Sequence, residues 1–276
     1  MNPKFKVSCV QNSAKNNTQE SLRECGELVK TASDSGADLI CLPEFLSHLH
    51  TEKGIFETGA MQEQEHLAIP YCSELAKSTG CWLLLGSIAV VETDQKKRNR
   101  SILINPDGEI QARYDKIHMF DVNLGNGEEY RESDVFKPGT RAVVVDTPLA
   151  KLGLSVCYDL RFAALYRALA QNGAQVLTVP AAFIHTSGKA HWHVLLRSRA
   201  IETGCYIVAP CQYGNHGTTK TYGHSLIVDP WGEILAEGAE DRADVITAEI
   251  DLAKVDSARG KIPALMHDRN FEIQHL

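Results

Sequence analysis

No stretch of the 276-residue chain holds the roughly eighteen consecutive apolar residues that a membrane helix needs. Met1-Asn-Pro-Lys-Phe-Lys6 leads straight into a strand-like run rather than into the apolar region of a signal peptide, so a cytoplasmic protein is expected. Basic runs are absent beyond Lys96-Lys97-Arg98-Asn99-Arg100, and the net charge is −7, which together argue against a nucleic-acid partner. That small cluster is expected to decorate an exposed hairpin. No linker rich in Pro, Ser or Gly divides the chain, and one domain spanning 1–276 is expected. The eight cysteines are scattered, none forms Cys-x-x-Cys, and Cys9 and Cys41 lie inside apolar runs; reduced, buried thiols are expected rather than a disulfide framework. Zinc-ligand spacing is missing as well. His48-Leu-His50, His191-Trp-His193, His216 and His224 are numerous, but residues two apart in a helix do not share a face, and no metal site is assigned. Gly214-Asn-His-Gly217-Thr-Thr-Lys220 lacks both the Walker spacing and a following helix, which excludes a phosphate loop.

What the chain does have is a lone cysteine at the end of an apolar run, Lys151-Leu-Gly-Leu-Ser-Val-Cys157, followed at once by the polar Tyr158-Asp159-Leu160-Arg161. Phe162, Leu165, Tyr166 and Leu169 recur at helical spacing, so a helix begins within a few residues and stops near Asn172-Gly173. A strand–turn–helix elbow follows. A thiol beside a helix N-terminus feels the positive end of the macrodipole, which favours the thiolate and suits a nucleophile. Taken alone, Cys157 is equally consistent with a small buried hydrophobe.

Two more polar residues stand at the ends of expected strands. Glu44 closes Gly36-Ala-Asp-Leu-Ile-Cys-Leu-Pro43-Glu44, and Lys116 follows the hairpin turn at Asn105-Pro-Asp-Gly108. Each alone reads as a loop carboxylate or a solvated amine. Together the three supply what acyl transfer needs: a nucleophile, a general base for the thiol, and a cation for the developing oxyanion. The three segments Pro43-Glu44-Phe45, Tyr114-Asp-Lys116-Ile-His118 and Val156-Cys157-Tyr-Asp-Leu-Arg161-Phe resemble, in order and spacing, the Glu-Lys-Cys motifs of the nitrilase superfamily of carbon–nitrogen hydrolases. The resemblance runs from about Lys6 to the C-terminal region.

An internal repeat is legible without that resemblance. Gly36-Ala-Asp-Leu-Ile-Cys-Leu-Pro43 is echoed by Gly173-Ala-Gln-Val-Leu-Thr-Val-Pro180, and Ser101-Ile-Leu-Ile-Asn-Pro-Asp-Gly-Glu-Ile110 by Ser225-Leu-Ile-Val-Asp-Pro-Trp-Gly-Glu-Ile234. Each half thus runs helix, buried strand, helix, hairpin, and the near-continuously apolar strands imply cover on both faces. Two α/β layers packed sheet on sheet give a four-layer αββα sandwich with a pseudo-two-fold repeat, the fold that the family resemblance also implies. The first long helix is expected over 21–35, opened by the capping-box pattern Ser21-Leu-Arg-Glu24 and stopped by Gly36; another is expected over 190–203. The repeat breaks at the chemistry: Pro43 is followed by Glu44, Pro180 by Ala181-Ala182-Phe183.

The residue types set a mechanism. Glu44 takes the thiol proton as Cys157 attacks an amide carbonyl, then hands it to the departing amine. Lys116 and the backbone N–H of Tyr158 hold the oxyanion. No cofactor enters. The family resemblance adds Glu132, in Tyr130-Arg-Glu-Ser133, as a second carboxylate that orients substrate or water, and it implies a homodimer or a higher homo-oligomer. Tyr130–Ser133, Ala190-His-Trp-His-Val-Leu-Leu-Arg-Ser-Arg-Ala-Ile-Glu202 and Tyr222-Gly-His-Ser225 further resemble the deaminated glutathione amidase branch, which implies a small acidic amide as substrate. The omega-amidase branch, acting on 2-oxoglutaramate, shares much of this pattern. Arg131, Arg161, Arg197 and Arg199 are available as counter-cations, though each also suits a structural ion pair. Outside catalysis, a thiol sensor built on Cys157, or a scaffold, is the remaining reading.

Overall fold

A computed structural model describes residues 4–92, 96–125 and 127–276. Two six-stranded sheets are built from β1 (Lys4–Gln11), β2 (Leu39–Cys41), β3 (Trp82–Val91), β4 (Lys97–Ile104), β5 (Ile110–Asp115), β6 (Val143–Asp146), β7 (Lys151–Leu154), β8 (Val176–Thr178), β9 (Tyr206–Ala209), β10 (Leu226–Val228), β11 (Ile234–Glu237) and β12 (Asp244–Asp251). The first sheet has the order β12-β1-β2-β3-β4-β5 and the second β6-β7-β8-β9-β10-β11. Read along those orders, both sheets pair antiparallel, parallel, parallel, antiparallel, antiparallel. The echoed sequences therefore occupy equivalent strands, β2 with β8 and β4 with β10. The repeat is one of topology as well as of sequence. The edge strand β12 is the exception to segregation: it comes from the chain's end and closes the first sheet beside β1.

Five helices cover the sheets: α1 (Thr18–Asp34), α2 (Ala68–Thr79), α3 (Ala163–Gln171), α4 (His185–Thr203) and α5 (Leu252–Lys261). Strand side chains alternate, and in β2 this places Leu39 and Cys41 in the core between the sheets, while Ile40 packs with Leu22, Val29 and Cys72 of α1 and α2. Both faces of β2 are thus apolar because both are covered, which is why its sequence does not alternate. On the other side, Leu165 and Leu169 of α3 and Trp192 and Leu196 of α4 join the core against β7, β8 and β9. The layering is αββα.

Element boundaries depart from the sequence reading where capping decides them. Helix α1 starts before Ser21, because Asn17 is the N-cap and its side chain accepts from the Glu20 amide at 3.0 Å. Ser21 lies inside the first turn, where its hydroxyl donates to Asn17 O (2.9 Å) and accepts from the Lys15 amide. Helix α4 begins at His185, five residues ahead of the expected start. The basic cluster on β4 is not a surface decoration. Arg98 pairs with Glu92 at 2.9 Å, and Arg100 with Asp115, Glu63 and Glu92 at 2.7, 2.7 and 3.1 Å, with both guanidinium groups largely buried. All eight cysteines are buried and unbridged. Among the described residues no helix is long and apolar enough to cross a membrane.

Candidate active site

Cys157 opens a five-residue 3-10 turn, Cys157–Arg161, between β7 and α3. Its φ is 49°, a left-handed conformation that costs a non-glycine residue energy and persists only where its surroundings enforce it. Asp159 does the enforcing. Its fully buried carboxylate accepts from the Val156 amide (2.8 Å), the Tyr114 hydroxyl (2.6 Å) and the His118 amide (3.1 Å), and meets His118 Nδ1 at 2.7 Å. The elbow is thereby tied to the end of β5, and the Cys157 amide is tied to Pro180 O at 2.9 Å.

Glu44 lies three residues beyond β2, buried, and every oxygen of its carboxylate is used. Oε1 accepts from Lys116 Nζ at 2.9 Å and from Asn99 Nδ2 at 2.8 Å, and Oε2 accepts from the Ala182 amide at 2.8 Å. The last bond crosses the pseudo-two-fold: the half that kept the acid borrows an amide from the half that lost it. Gln212 steadies the loop by donating to the carbonyls of Glu44 and Phe45. Lys116 Nζ also donates to Glu132 at 2.8 and 3.1 Å, and Glu132 is held by Asn99 Nδ2 and the Phe120 amide at 3.1 and 2.6 Å. Gly86 makes the close approach of the strand exits possible, since a Cβ there would fall 1.9 Å from Leu42 O and 2.6 Å from Pro180 Cβ.

One buried ammonium is thus clamped between two buried carboxylates beside a buried thiol. Burial alone would lower the Lys116 pKa, but Glu132 and then Glu44 overcome it and hold Lys116 charged, well above its ordinary value. Burial raises Glu132, Lys116 opposes and Glu44 adds to the rise. The Cys157 thiol is pushed well above its ordinary value by burial first and by Glu44 next, with Lys116 pulling the other way. The expectation of a dipole-stabilised resting thiolate is therefore corrected: the helix end beside Cys157 is a short 3-10 turn, and desolvation beside two acids outweighs it.

These groups form the polar end of a narrow pocket whose walls are Phe45, Phe56, Phe120, Tyr158, Phe183 and Ile184. Its mixture of aromatic wall and convergent polar groups suits a small organic substrate.

The Carbon-nitrogen hydrolase family model matches residues 6–260. The chain belongs to the carbon–nitrogen hydrolase family. It is a hydrolase acting on carbon–nitrogen bonds other than peptide bonds, of the nitrilase superfamily. Relatives named deaminated glutathione amidase include one from Yersinia enterocolitica, 38% identical over 95% of this chain and 92% of its own length. Another from Dictyostelium discoideum is 36% identical over 99% of this chain and 97% of its own. The crystal structure of Saccharomyces cerevisiae Nit3, described as a member of branch 10 of the nitrilase superfamily, superposes with a TM-score of 0.84 at 29% identity, covering 97% of each chain.

In this carbon–nitrogen hydrolase, the residues singled out in sequence converge: Glu44, Lys116, Cys157, Tyr158 and Glu132 all line one cavity. The arginines do not. Arg131 is exposed and pairs with Glu129, Arg197 donates to Gly232 O, and Arg199 is buried holding Leu160 O and Glu202. Arg161 lies over the Tyr158 and Phe183 rings, with its guanidinium 5.7 and 5.3 Å from their centroids. Sequence reasoning missed Asn99, which joins the two carboxylates. Its signal is faint: a single amide side chain between Arg98 and Arg100, on a face of β4 that it shares with Lys97, Ser101 and Leu103. It also missed Asp159, whose only mark is its place two residues after the cysteine.

Proposed function

We propose that this hydrolase is a cofactor-independent amidase that cleaves deaminated glutathione to 2-oxoglutarate and cysteinylglycine through a thioester on Cys157. The observation that carries the reading is the coincidence of a buried Glu44–Lys116–Cys157 cluster in an aromatic-walled pocket with relatives of that name matching nearly the whole chain. Glu44 accepts the thiol proton as sulfur attacks the amide carbon. Lys116 and the Tyr158 amide receive the oxyanion. Collapse of the tetrahedral species breaks the C–N bond, and protonated Glu44 delivers its proton to the departing cysteinylglycine nitrogen. Water, deprotonated by Glu44, then attacks the thioester and returns free enzyme and acid. Glu132 keeps Lys116 charged and aimed through both steps.

The rest of the reading follows. The substrate is a small acidic amide, nucleic acid is not a partner at a net charge of −7, and the chain acts as one domain in the cytoplasm. A homodimer is supported by the exposed apolar side chains Val194 and Ile201, two turns apart on α4, and by the exposed Trp231, which lines the same groove as Ile201. A thiol sensor is disfavoured, because sensors need a low-pKa, accessible thiolate and Cys157 is buried and raised.

The test is to supply deaminated glutathione and 2-oxoglutaramate separately and follow cysteinylglycine and ammonia. Faster release of cysteinylglycine supports the proposal. Dominant ammonia release from 2-oxoglutaramate replaces it with the omega-amidase reading.

A further inference from the structure

The hairpins at Ser101–Ile110 and Ser225–Ile234 are equivalent, but the side chains that tie each to its surroundings are not. In the first half Arg100 and Arg113 close on Glu63, with Nη1 to Oε2 at 2.7 Å and Nη2 to Oε1 at 2.8 Å. Arg100 stands one residue before the shared serine, and Arg113 is fourth in β5. At those two places in the second half stand His224 and Glu237. His193 of α4 completes the set. Its Nε2 is 3.0 Å from Glu237 Oε1, and His224 Nδ1 is 2.7 Å from the same oxygen. A cluster closed by permanent cations in one half is therefore closed by imidazoles in the other, and imidazole is the commonest metal ligand among side chains.

The donor atoms of His193, His224 and Glu237 all lie within 4.8 Å of one another. Tetrahedral coordination at about 2.0–2.1 Å per bond needs ligand atoms about 3.3 Å apart, so the two histidine–carboxylate contacts of 3.0 and 2.7 Å open by a few tenths of an ångström while the two imidazole nitrogens close by at most about 1.5 Å. The rings are already fixed. Trp192 Nε1 donates to His224 O at 2.8 Å, and the Tyr222 ring lies 4.5 and 6.0 Å from those of His224 and His193. The side chains are 29%, 21% and 39% exposed, which leaves an entry path and an open coordination position. Glu240, itself paired with Lys220 and His185, lies with Oε2 3.9 Å from His224 Nε2, beyond hydrogen-bond distance, and has to close by about 1 Å to act as the outer carboxylate of a metal-bound histidine.

We propose that His193 Nε2, His224 Nδ1 and a Glu237 oxygen bind a divalent transition cation of the zinc class, at a site outside the catalytic cavity. Two imidazoles and one carboxylate suit zinc, cobalt or nickel; magnesium and calcium require oxygen ligands. The ion fastens α4 to the β10–β11 hairpin. Because Ile184 and Ser187 at the start of α4 line the cavity, it also steadies one wall of the pocket without entering the chemistry.

The test is calorimetric titration of Zn²⁺ into chelator-treated Cys157→Ala protein, the substitution removing the one thiol in the cavity that would compete. One Zn²⁺ per chain is expected, with a melting temperature raised by a few degrees at saturation and with visible absorption bands when Co²⁺ replaces it. His193→Gln and Glu237→Gln each weaken binding at least about 10-fold while leaving the metal-free circular dichroism spectrum unchanged, and Mg²⁺ gives no heat. Binding that neither substitution weakens, or no binding tighter than about 100 µM, overturns the assignment and leaves a hydrogen-bonded cluster.

Discussion

Asn99 joins the two buried carboxylates of the candidate site, since its one amide nitrogen donates to Glu44 at 2.8 Å and to Glu132 at 3.1 Å. Hydrogen bonds to charged groups contribute about 1.5–3 kcal/mol, so Asn99→Ala is expected to lower kcat on the order of 10- to 100-fold. KM should move little, because Asn99 is not among the side chains that line the pocket. Steady-state kinetics on the folded variant check both statements. The thiol offers a test of opposite sign. With Cys157 held well above its ordinary pKa by burial and then by Glu44, alkylation by iodoacetamide should be slow at neutral pH and rise only in the alkaline range. Glu44→Gln removes the raising charge and leaves Lys116, so the alkylation profile should move to lower pH even as turnover is lost. A profile that moved upward would show that Glu44 is not the group facing the sulfur.

At the scale of elements, the two strand exits that carry Glu44 and Ala182 must come within a hydrogen bond of each other, and Gly86 is what lets them. Gly86→Ala places a methyl group where Leu42 O, Pro43 C and Pro180 Cβ already stand, and overpacking of this kind costs about 1–3 kcal/mol. The loss should appear as a lower denaturation midpoint together with reduced kcat, because the shift falls on the loop that aims Glu44. Asn17→Ala, by contrast, removes only the α1 cap and should cost about 1 kcal/mol with kcat unchanged. These elements also show what the sequence could disclose. Strands β2 and β8 were legible because both faces are covered, so their apolar runs are uninterrupted. The repeat disclosed the pairing of the halves. Helix starts were less legible: Asn17 outcompetes Ser21 because the chain arrives at Asn17 in extended conformation, a fact of tertiary path rather than of local pattern. The site was legible to the extent that strand ends concentrate chemistry. Asn99 and the His193–His224–Glu237 cluster were not, since each is assembled from residues whose separation along the chain carries no period.

At the scale of the whole molecule, buried histidines set the acid limit. Burial holds His66 and His216 down to about 4, against an ordinary 6.5. Both are neutral in the folded chain, while the unfolded chain takes up protons below about 6.5. Stability from this source is therefore full above pH 6.5 and is lost progressively as pH falls toward 4, by up to about 3 kcal/mol for each residue. Urea denaturation from pH 7 to pH 4 should show the decline, and His216→Gln should flatten part of it. The αββα frame otherwise serves one end, the face where the two halves meet over Glu44, Lys116 and Cys157. The most direct measurement of that claim is intact-protein mass spectrometry during turnover of deaminated glutathione. A transient 2-oxoglutaryl adduct on the wild-type chain, absent from folded Cys157→Ala and lost with turnover in Lys116→Met, is the expected result. Continued hydrolysis by Cys157→Ala would contradict it.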